Sequence, residues 1–281
     1  MHFPRPPLAP FVESITYFAG AAPLHHREKL IPDGAIQIIV DITERPKKLY
    51  AGETSAVAVD FRKAWISGMQ RRWIVIEAQP AASMLIIRFR PGGAFGCIGH
   101  AADALTDAVF ALDDVIDGSA SLRDRVLEAP DIAAKFKAAE SWLSERLAPA
   151  PPNATVRFLT GRMQLPVTRI RDLVAETGYS ERHILALFRR LVGVSPKQYA
   201  RIRRFNHLLR VLAGTGVEDP ALRARPLPPP DWAALAADLG YADQSHLNHE
   251  FQAFAGMTPG AYVSAYRGLE NYLPITLQNS G

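Results

Sequence analysis

Cysteine is nearly absent from this chain of 281 residues, which contains only Cys97. A single thiol excludes an internal disulfide and any metal site built from several cysteines. Its neighbours Phe95 and Ile98 are apolar, which favours a buried structural thiol over a nucleophile or a redox sensor. Long apolar runs are also missing: no stretch reaches the roughly 18 residues of a transmembrane helix. The first residues lack the pattern of a signal peptide, so we expect a cytoplasmic protein without membrane contact.

Catalytic and metal-binding patterns are likewise scarce. No Ser/His/Asp set and no pair of carboxylates at a useful spacing is evident, so we expect no enzyme activity, no catalytic residue and no cofactor. His25 and His26 precede Glu28, but an exposed loop is favoured over a metal site because no further ligand is apparent. Pro91-Gly92-Gly93 does not follow the GxGxxG or Walker spacing, which argues against a nucleotide loop.

Charge is distributed unevenly, although the whole chain carries a formal net charge of only +4. Hydrophobic residues make up 48% and charged residues 21%, which indicates a globular protein. Counted along the sequence, residues 155–212 hold 12 basic and 3 acidic residues, a net of +9. Residues 213–281 hold 3 basic and 7 acidic residues, a net of −4. The positive field therefore belongs to one segment, as expected where phosphates are neutralised.

The N-terminal half predicts a β-rich domain with the form of a sandwich or small barrel. Apolar alternation marks 35–42, 72–77 and 84–89 as strands, and 49–51 and 65–67 as weaker candidates. Trp65 and Trp73 are expected either to line a ligand cavity or to fill the barrel. Asp33 and Arg88 have two interpretations as well, a pocket lining or a turn and salt bridge.

Helical periodicity follows the strands. A short helix is predicted at 121–127 and a longer one at 131–147, with one apolar face formed by Ile132, Phe136, Ala139, Leu143 and Leu147. The proline-rich stretch 148–153 then blocks helix continuation and forms a linker. The predicted fold class is thus α+β, with this N-terminal domain at 1–147 followed by an all-α domain.

The C-terminal third contains the same motif twice. In each copy a Gly-Tyr turn leads into a short amphipathic helix, which ends in Phe-x-x-hydrophobic-x-Gly and is followed by Ser/Thr-Pro and Tyr. The equivalent pairs are Gly178 and Gly240, Ile184 and Leu247, Phe188 and Phe251, Gly193 and Gly256, Ser195-Pro196 and Thr258-Pro259, and Tyr199 and Tyr262. A duplicated helix-turn-helix is suited to reading DNA in two successive major grooves.

Each copy has recognisable boundaries. Pro166 precedes the first helix of unit one, whose buried face should be Ile170, Leu173 and Val174, and Ser180 is a suitable N-cap for its second helix. Asp231 should cap the first helix of unit two. We divide the C-terminal part into a double helix-turn-helix domain at 154–267, comprising unit one at about 154–212, a proline-rich insert at 213–230 and unit two at about 231–267, and a tail at 268–281.

These two units resemble the DNA-binding domain of AraC-type (AraC/XylS) transcriptional regulators. The resemblance covers roughly residues 153–265 and is specific, because two ordered copies agree. It implies seven helices, with a long helix at about 196–212 joining the units. More weakly, two N-terminal segments resemble the sensor domains of one AraC subgroup. They are Leu30-Ile31-Pro32-Asp33-Gly34 and residues 87–94. The sequence departs from the family pattern in two ways. It contains the proline-rich insert, and the positions two residues before each core Phe hold Ala186 and His249, where the family often has Arg.

The resemblance and the helix faces together predict the DNA contacts. Candidates for reading bases are Arg182, Leu185, Ala186, Gln244, Ser245, Asn248 and His249. Candidates for phosphate contact are Arg189, Arg190, Lys197, Arg201, Arg203 and Arg204. A solvated helix face is the alternative for the run at 201–204. The inward residues Ile184, Phe188, Leu247 and Phe251 are expected to be ordinary core.

The expected function is a sequence-specific, bacterial DNA-binding transcription regulator, associated with the nucleoid and modulated at its N-terminal domain. Double-stranded DNA is the expected partner, and the resemblance adds a small-molecule effector, RNA polymerase and a second copy of the chain as further candidates. One alternative is an interaction module whose second unit binds protein, which its net charge of −4 favours. Another is an alkyl-transfer DNA repair enzyme, against which the apolar setting of Cys97 argues strongly.

Overall fold

A computed structural model describes residues 1–20, 25–56, 58–148, 150–163, 169–214, 230–266 and 271–275 of the chain. Within them the strand-rich and helical parts follow one another as the apolar periodicities predict. One apolar core cluster runs through the N-terminal sheets and on into the C-terminal helices. The α+β class is confirmed.

The described part of the N-terminal region contains two antiparallel five-stranded sheets. The first has the strand order β1-β8-β3-β6-β9 and the second β10-β2-β7-β4-β5. The strands are β1 Val12–Ala19, β2 Arg27–Leu30, β3 Gln37–Asp41, β4 Lys47–Tyr50, β5 Ala58–Phe61, β6 Ala64–Ser67, β7 Ile74–Glu77, β8 Ser83–Phe89, β9 Val109–Ala111 and β10 Tyr272–Ile275.

All five predicted strands correspond to observed ones, namely β3, β4, β6, β7 and β8. The centre of the first sheet is apolar on alternate residues: Ile38 and Val40 of β3 and Leu85 and Ile87 of β8 are 0% exposed. Burying these four side chains stabilises the domain by several kcal/mol, since each contributes about 1.5–3 kcal/mol.

Three α-helices are described in the N-terminal region: α1 Ala94–Ile98, α2 Ala120–Glu128 and α3 Ile132–Arg146. Asp131 caps α3 by accepting a hydrogen bond from the Ala134 amide at 2.8 Å. The face predicted for α3 is wrong at Ile132, which is 46% exposed, and it omitted Trp142, which is fully buried. Burial starts only one turn into the helix, near Phe136, so its first residue projects into solvent.

Seven helices are described in the C-terminal region, the number that the family resemblance implies. They are α4 Ala154–Arg162, α5 Ile170–Glu176, α6 Glu181–Val192, α7 Pro196–Gly214, α8 Trp232–Asp238, α9 Gln244–Ala255 and α10 Pro259–Ala265. The long helix α7 packs against α5 and α6 on one side and α9 on the other. Pro166 and most of the proline-rich insert, 215–229, lie outside the described residues.

The predicted tail contains a strand. Residues of β10 pair with β2, Tyr272 opposite Leu30 and Ile275 opposite Arg27, so the chain returns to the N-terminal region after the second helix-turn-helix. The amide of Ile31 donates to the carbonyl of Asn271 at 2.9 Å, which extends this contact by one residue. Since antiparallel pairing needs a partner strand, no local pattern in the tail could reveal this role.

Candidate nucleic-acid interface

The two sequence copies are also copies in three dimensions. Each turn contains a glycine in the left-handed region, Gly178 at φ 71° and Gly240 at φ 72°, a conformation that glycine adopts without steric cost. The helix that follows is capped in each copy. Ser180 accepts from the His183 amide at 3.2 Å, and Asp243 accepts from the His246 amide at 2.7 Å. The predicted cap at Asp231 is confirmed by its bonds to the amides of the first turn of α8.

The inward face of each second helix is an aromatic core. Phe188 of α6 meets Tyr199 at a ring distance of 6.3 Å, and Phe251 of α9 meets Tyr262 at 5.6 Å. Both phenylalanines are 0% exposed, as are Ile184 and Leu247. The interpretation of these side chains as core is confirmed. Because the inward face of each helix is occupied, its opposite face is the one available to a ligand.

The outward face of α6 is cationic and partly apolar. Arg182, Ala186 and Arg189 are exposed, and Leu185 is half-buried beside them. Arginine can bond guanine O6 and N7 with both arms of its guanidinium, whereas Leu185 and Ala186 offer apolar contact of the kind a thymine methyl group accepts. The geometry thus brings four of the predicted residues to one side of one helix.

The outward face of α9 has a different chemistry. Gln244, Ser245, Asn248 and His249 are all exposed on it, and each can donate or accept hydrogen bonds. This helix contains neither lysine nor arginine. Asparagine and glutamine can pair with the N6 and N7 edge of adenine, so the face is suited to hydrogen-bond recognition rather than to charge neutralisation.

The six predicted phosphate-binding residues divide into two groups. Arg189, Arg190 and Lys197 are exposed, and the Arg190 guanidinium lies 5.0 Å from the centre of the Phe95 ring in the N-terminal region. Arg201, Arg203 and Arg204 are half-buried along α7. The first group is therefore open to solvent, and the second is only partly so.

The buried carboxylate of Glu250 has two arginine partners on α7. Arg201 donates to it through Nε at 3.0 Å and through Nη2 at 2.7 Å, and Arg204 Nη2 lies 3.8 Å from its second oxygen. Arg204 also donates to the carbonyl of Gly240 at 2.9 Å and lies over the Tyr241 ring. These contacts engage the half-buried Arg201 and Arg204 with other groups of the protein, which argues against their assignment as phosphate contacts and against a fully solvated face.

Glu250 was missed by sequence reasoning. Its side chain is 6% exposed although it carries a carboxylate. One signal was present: the residue lies between Leu247 and Phe251 on the inward side of an amphipathic helix, where an acidic side chain needs a cationic partner. The arginines that supply it are far away in the sequence, Arg201 lying 49 positions before Glu250.

The other candidate groups of the N-terminal region have structural roles. Arg88 forms salt bridges with Asp33 and with Glu13, so the salt-bridge interpretation of Asp33 and Arg88 is the one observed. Cys97 is buried, and burial raises the pKa of its thiol to about 12. His25 donates to or accepts from Glu28 at 2.9 Å. Among the described residues no three His, Cys, Asp or Glu side chains are grouped as metal ligands would be, and no helix has the length and apolar character to cross a bilayer.

Paired turns, capped second helices and two exposed polar faces define a DNA-binding protein of the helix-turn-helix class. Residues 173–265 match the family described as a helix-turn-helix domain. This match confirms that the C-terminal part of the chain is a helix-turn-helix domain, as the two sequence copies predicted. Residues 1–111 match a second family, described as a domain of unknown function, DUF6597.

The chain is also similar to solved structures of ToxT from Vibrio cholerae. One is 9% identical, covers 89% of this chain and 97% of that chain, and has a TM-score of 0.46. Another is 8% identical, with coverage of 91% and 98% and a TM-score of 0.46. A third, ToxT bound to an unsaturated fatty acid, is 11% identical, with coverage of 92% and 97% and a TM-score of 0.46. No curated protein matches the chain.

Proposed function

We propose that this protein regulates transcription by placing α6 and α9 in successive major grooves of double-stranded DNA and reading sequence through both. The observation that carries the proposal is the repeated architecture: two capped helices, each with an occupied inward face and an exposed outward face, packed on the same long helix. Two such helices can enter adjacent grooves only if their outward faces lie on the same side of the domain.

Unit one would supply most of the affinity, and unit two most of the hydrogen-bond readout. Arg182 with Leu185 and Ala186 would contact bases, while Arg189, Arg190 and Lys197 would neutralise phosphates. Gln244, Ser245, Asn248 and His249 would contact base edges in the second groove. Of the α7 arginines we keep only Arg203 as a phosphate candidate, since Arg201 and Arg204 bond Glu250.

We further propose that an effector or partner acting on the N-terminal region changes the affinity of the protein for DNA. In this proposal the protein acts in the cytoplasm, in association with the nucleoid. The support is the direct contact between that region and both helix-turn-helix units. A ligand shifts such an equilibrium only if it binds two arrangements of the protein with different affinity. RNA polymerase and a second copy of the chain are the protein partners in this proposal, and no catalytic activity is part of it.

The second candidate function is a protein-interaction role for unit two. The absence of lysine and arginine from α9 favours it, since phosphate neutralisation is then left to other segments. Protection of two adjacent major grooves in a footprint would support reading by both units. Protection of one groove would instead support the interaction role.

Selection of binding sites from a random duplex pool tests the main proposal. We expect enrichment of one bipartite sequence, with Arg182→Ala relaxing preference in one half and Asn248→Ala in the other, each by about 1–3 kcal/mol. Arg157→Ala, which removes an exposed positive charge from α4, is the matched control and should leave the preference intact. No retardation of any duplex at low salt, with or without candidate effectors, would refute DNA binding.

A further inference from the structure

We propose that Thr106, Lys29 and Trp73 of the N-terminal region are positioning residues that fix the spacing of the two recognition helices, and therefore the spacing of the two half-sites on DNA. This inference rests on the proposed function, because it assigns a role in reading DNA to residues that touch no DNA. Its basis is that each recognition helix is held at its C-terminal end, at equivalent positions of the repeat.

The end of α6 is held by the segment around Thr106. The Thr106 hydroxyl donates to the carbonyl of Gly193 at 2.7 Å. Gly193 caps α6 with φ 97°, and a Cβ at that position would lie 2.9 Å from Thr106 Oγ1 and 3.1 Å from the Ala102 carbonyl oxygen. The segment thus lies so close to the end of α6 that a Cβ at Gly193 would force one of its atoms to shift.

The end of α9 is held by Lys29 and Trp73. The Lys29 ammonium donates to the Ala255 carbonyl at 3.0 Å, is 2% exposed, and lies 4.5 Å from the Trp73 ring centre. Gly256 caps α9 with φ 64°, and a Cβ there would lie 2.3 Å from Trp73 Nε1. The positive charge also meets the negative end of the helix dipole. Trp73 therefore packs on unit two, an outcome that neither sequence interpretation of this residue anticipated.

These two contacts are equivalent in the repeat but come from different sheets. Gly193 and Gly256 are paired positions of the two copies. Thr106 precedes β9 of the first sheet, whereas Lys29 belongs to β2 of the second and Trp73 precedes β7. The N-terminal region therefore bridges the ends of both recognition helices. Their outward faces stay exposed, so the bridge is compatible with bound DNA.

A bridge of this kind determines geometry because each helix gains a second point of attachment. The first is α7, which meets unit two through Phe205, whose ring stacks on Phe254 at 4.9 Å and meets Phe251 edge-on at 5.0 Å. The salt bridges of Arg201 and Arg204 with Glu250 belong to this same attachment, and attachment to α7 alone leaves α9 able to tilt about it. With its C-terminal end also held, α9 has a defined direction relative to α6. Half-site spacing is the property of DNA that reports this direction.

The experiment measures affinity for duplexes carrying both selected half-sites at separations changed one base pair at a time. Wild-type protein should prefer one separation by at least tenfold, about 1.4 kcal/mol. Thr106→Val, Lys29→Met and Trp73→Ala should each flatten this preference while leaving affinity for an isolated half-site unchanged. Arg72→Ala, an exposed neighbour of Trp73, is the control and should keep the wild-type profile.

An unchanged spacing profile in all three folded variants would overturn the inference and leave α7 as the sole determinant. Failure of wild-type protein to bind any duplex would instead refute the proposed function, so the two failures are distinguishable. Circular dichroism and thermal unfolding establish that each variant is folded.

A second measurement does not depend on DNA. Gly256→Ala should lower the unfolding temperature more than Gly178→Ala, because both sites have a similar positive φ but a Cβ at Gly178 meets nothing within 4 Å. Combining Gly256→Ala with Trp73→Ala should remove most of this excess, since the clashing ring is gone. An excess that persists without the indole would show that the contact with Trp73 does not hold unit two.

Discussion

The two helix-turn-helix units share a scaffold and differ in their exposed chemistry. Unit one presents arginines at 182, 189 and 190 on α6, whereas α9 of unit two presents amide, hydroxyl and imidazole groups. Arg201 and Arg204 of α7, both half-buried, form salt bridges with the buried Glu250 of unit two. Duplication has therefore preserved the shape of the unit while the charge available to DNA has become concentrated in one copy.

The shared part is the part that packing fixes. Phenylalanine, tyrosine and the two glycines recur because the inward face of each helix must fill the same space and each turn must take the same backbone conformation. Outward residues have no such constraint within the protein. Differences there change what is bound and leave the fold as it is, which makes the comparison between units a guide to function.

The largest expected effect breaks the shared scaffold. Phe188→Ala and Phe251→Ala should each lower the free energy of unfolding by about 3–5 kcal/mol, because both rings are fully buried against a tyrosine. Urea unfolding monitored by fluorescence measures the loss. Phe158→Ala on α4, where the ring is 40% exposed, is the control and should cost far less. A clear inequality between the two core variants would show that the copies are not energetically equivalent.

The next effect concerns the carboxylate found only in unit two. Glu250→Ala should destabilise the protein by about 3 kcal/mol, since it leaves the guanidiniums of Arg201 and Arg204 without their buried partner. Asp238→Ala removes an exposed acidic residue from the neighbouring α8 and is the matched control. If the two variants unfolded at the same urea concentration, the internal role assigned to the α7 arginines would be untenable.

The smallest expected effect tests whether unit one supplies the positive charge that attracts DNA. Replacing Arg189 by alanine should reduce the slope of log affinity against log salt by about 0.9, the contribution of one phosphate contact. Gln252→Ala, on the exposed side of α9, should leave that slope as it is in the wild-type protein. Affinities at four or five salt concentrations measure both. Equal slopes for both variants would argue against unit one as the source of the electrostatic attraction.

Much of the helical domain was predictable because its signals are local. The caps at Ser180 and Asp231 act on amides two or three residues away, and the inward residues follow the helical repeat. The face of α3 was mispredicted at Ile132 for a related reason: periodicity defines an apolar face but not the point along the helix where burial begins.

The sheet region was predicted less completely. Strands with strong apolar alternation, such as β3 and β8, were identified, whereas β1, β2, β5 and β9 were not. A short edge strand such as β9, with no fully buried residue, has little pattern of its own. Its existence depends on the hydrogen bonds that β6 provides, and these are invisible in its own residues.

The sequence by itself determined that this chain carries two helix-turn-helix units with a cationic first copy, because turns, caps and amphipathic faces arise from interactions within a few residues. Tertiary structure alone decided that Arg201 and Arg204 form salt bridges with Glu250 and that residues 272–275 pair with β2. It also decided that Thr106, Lys29 and Trp73 contact the ends of α6 and α9. Those contacts join residues far apart in the chain. Their formation depends on where the packed sheets and helices bring those residues, and no local pattern specifies that distance.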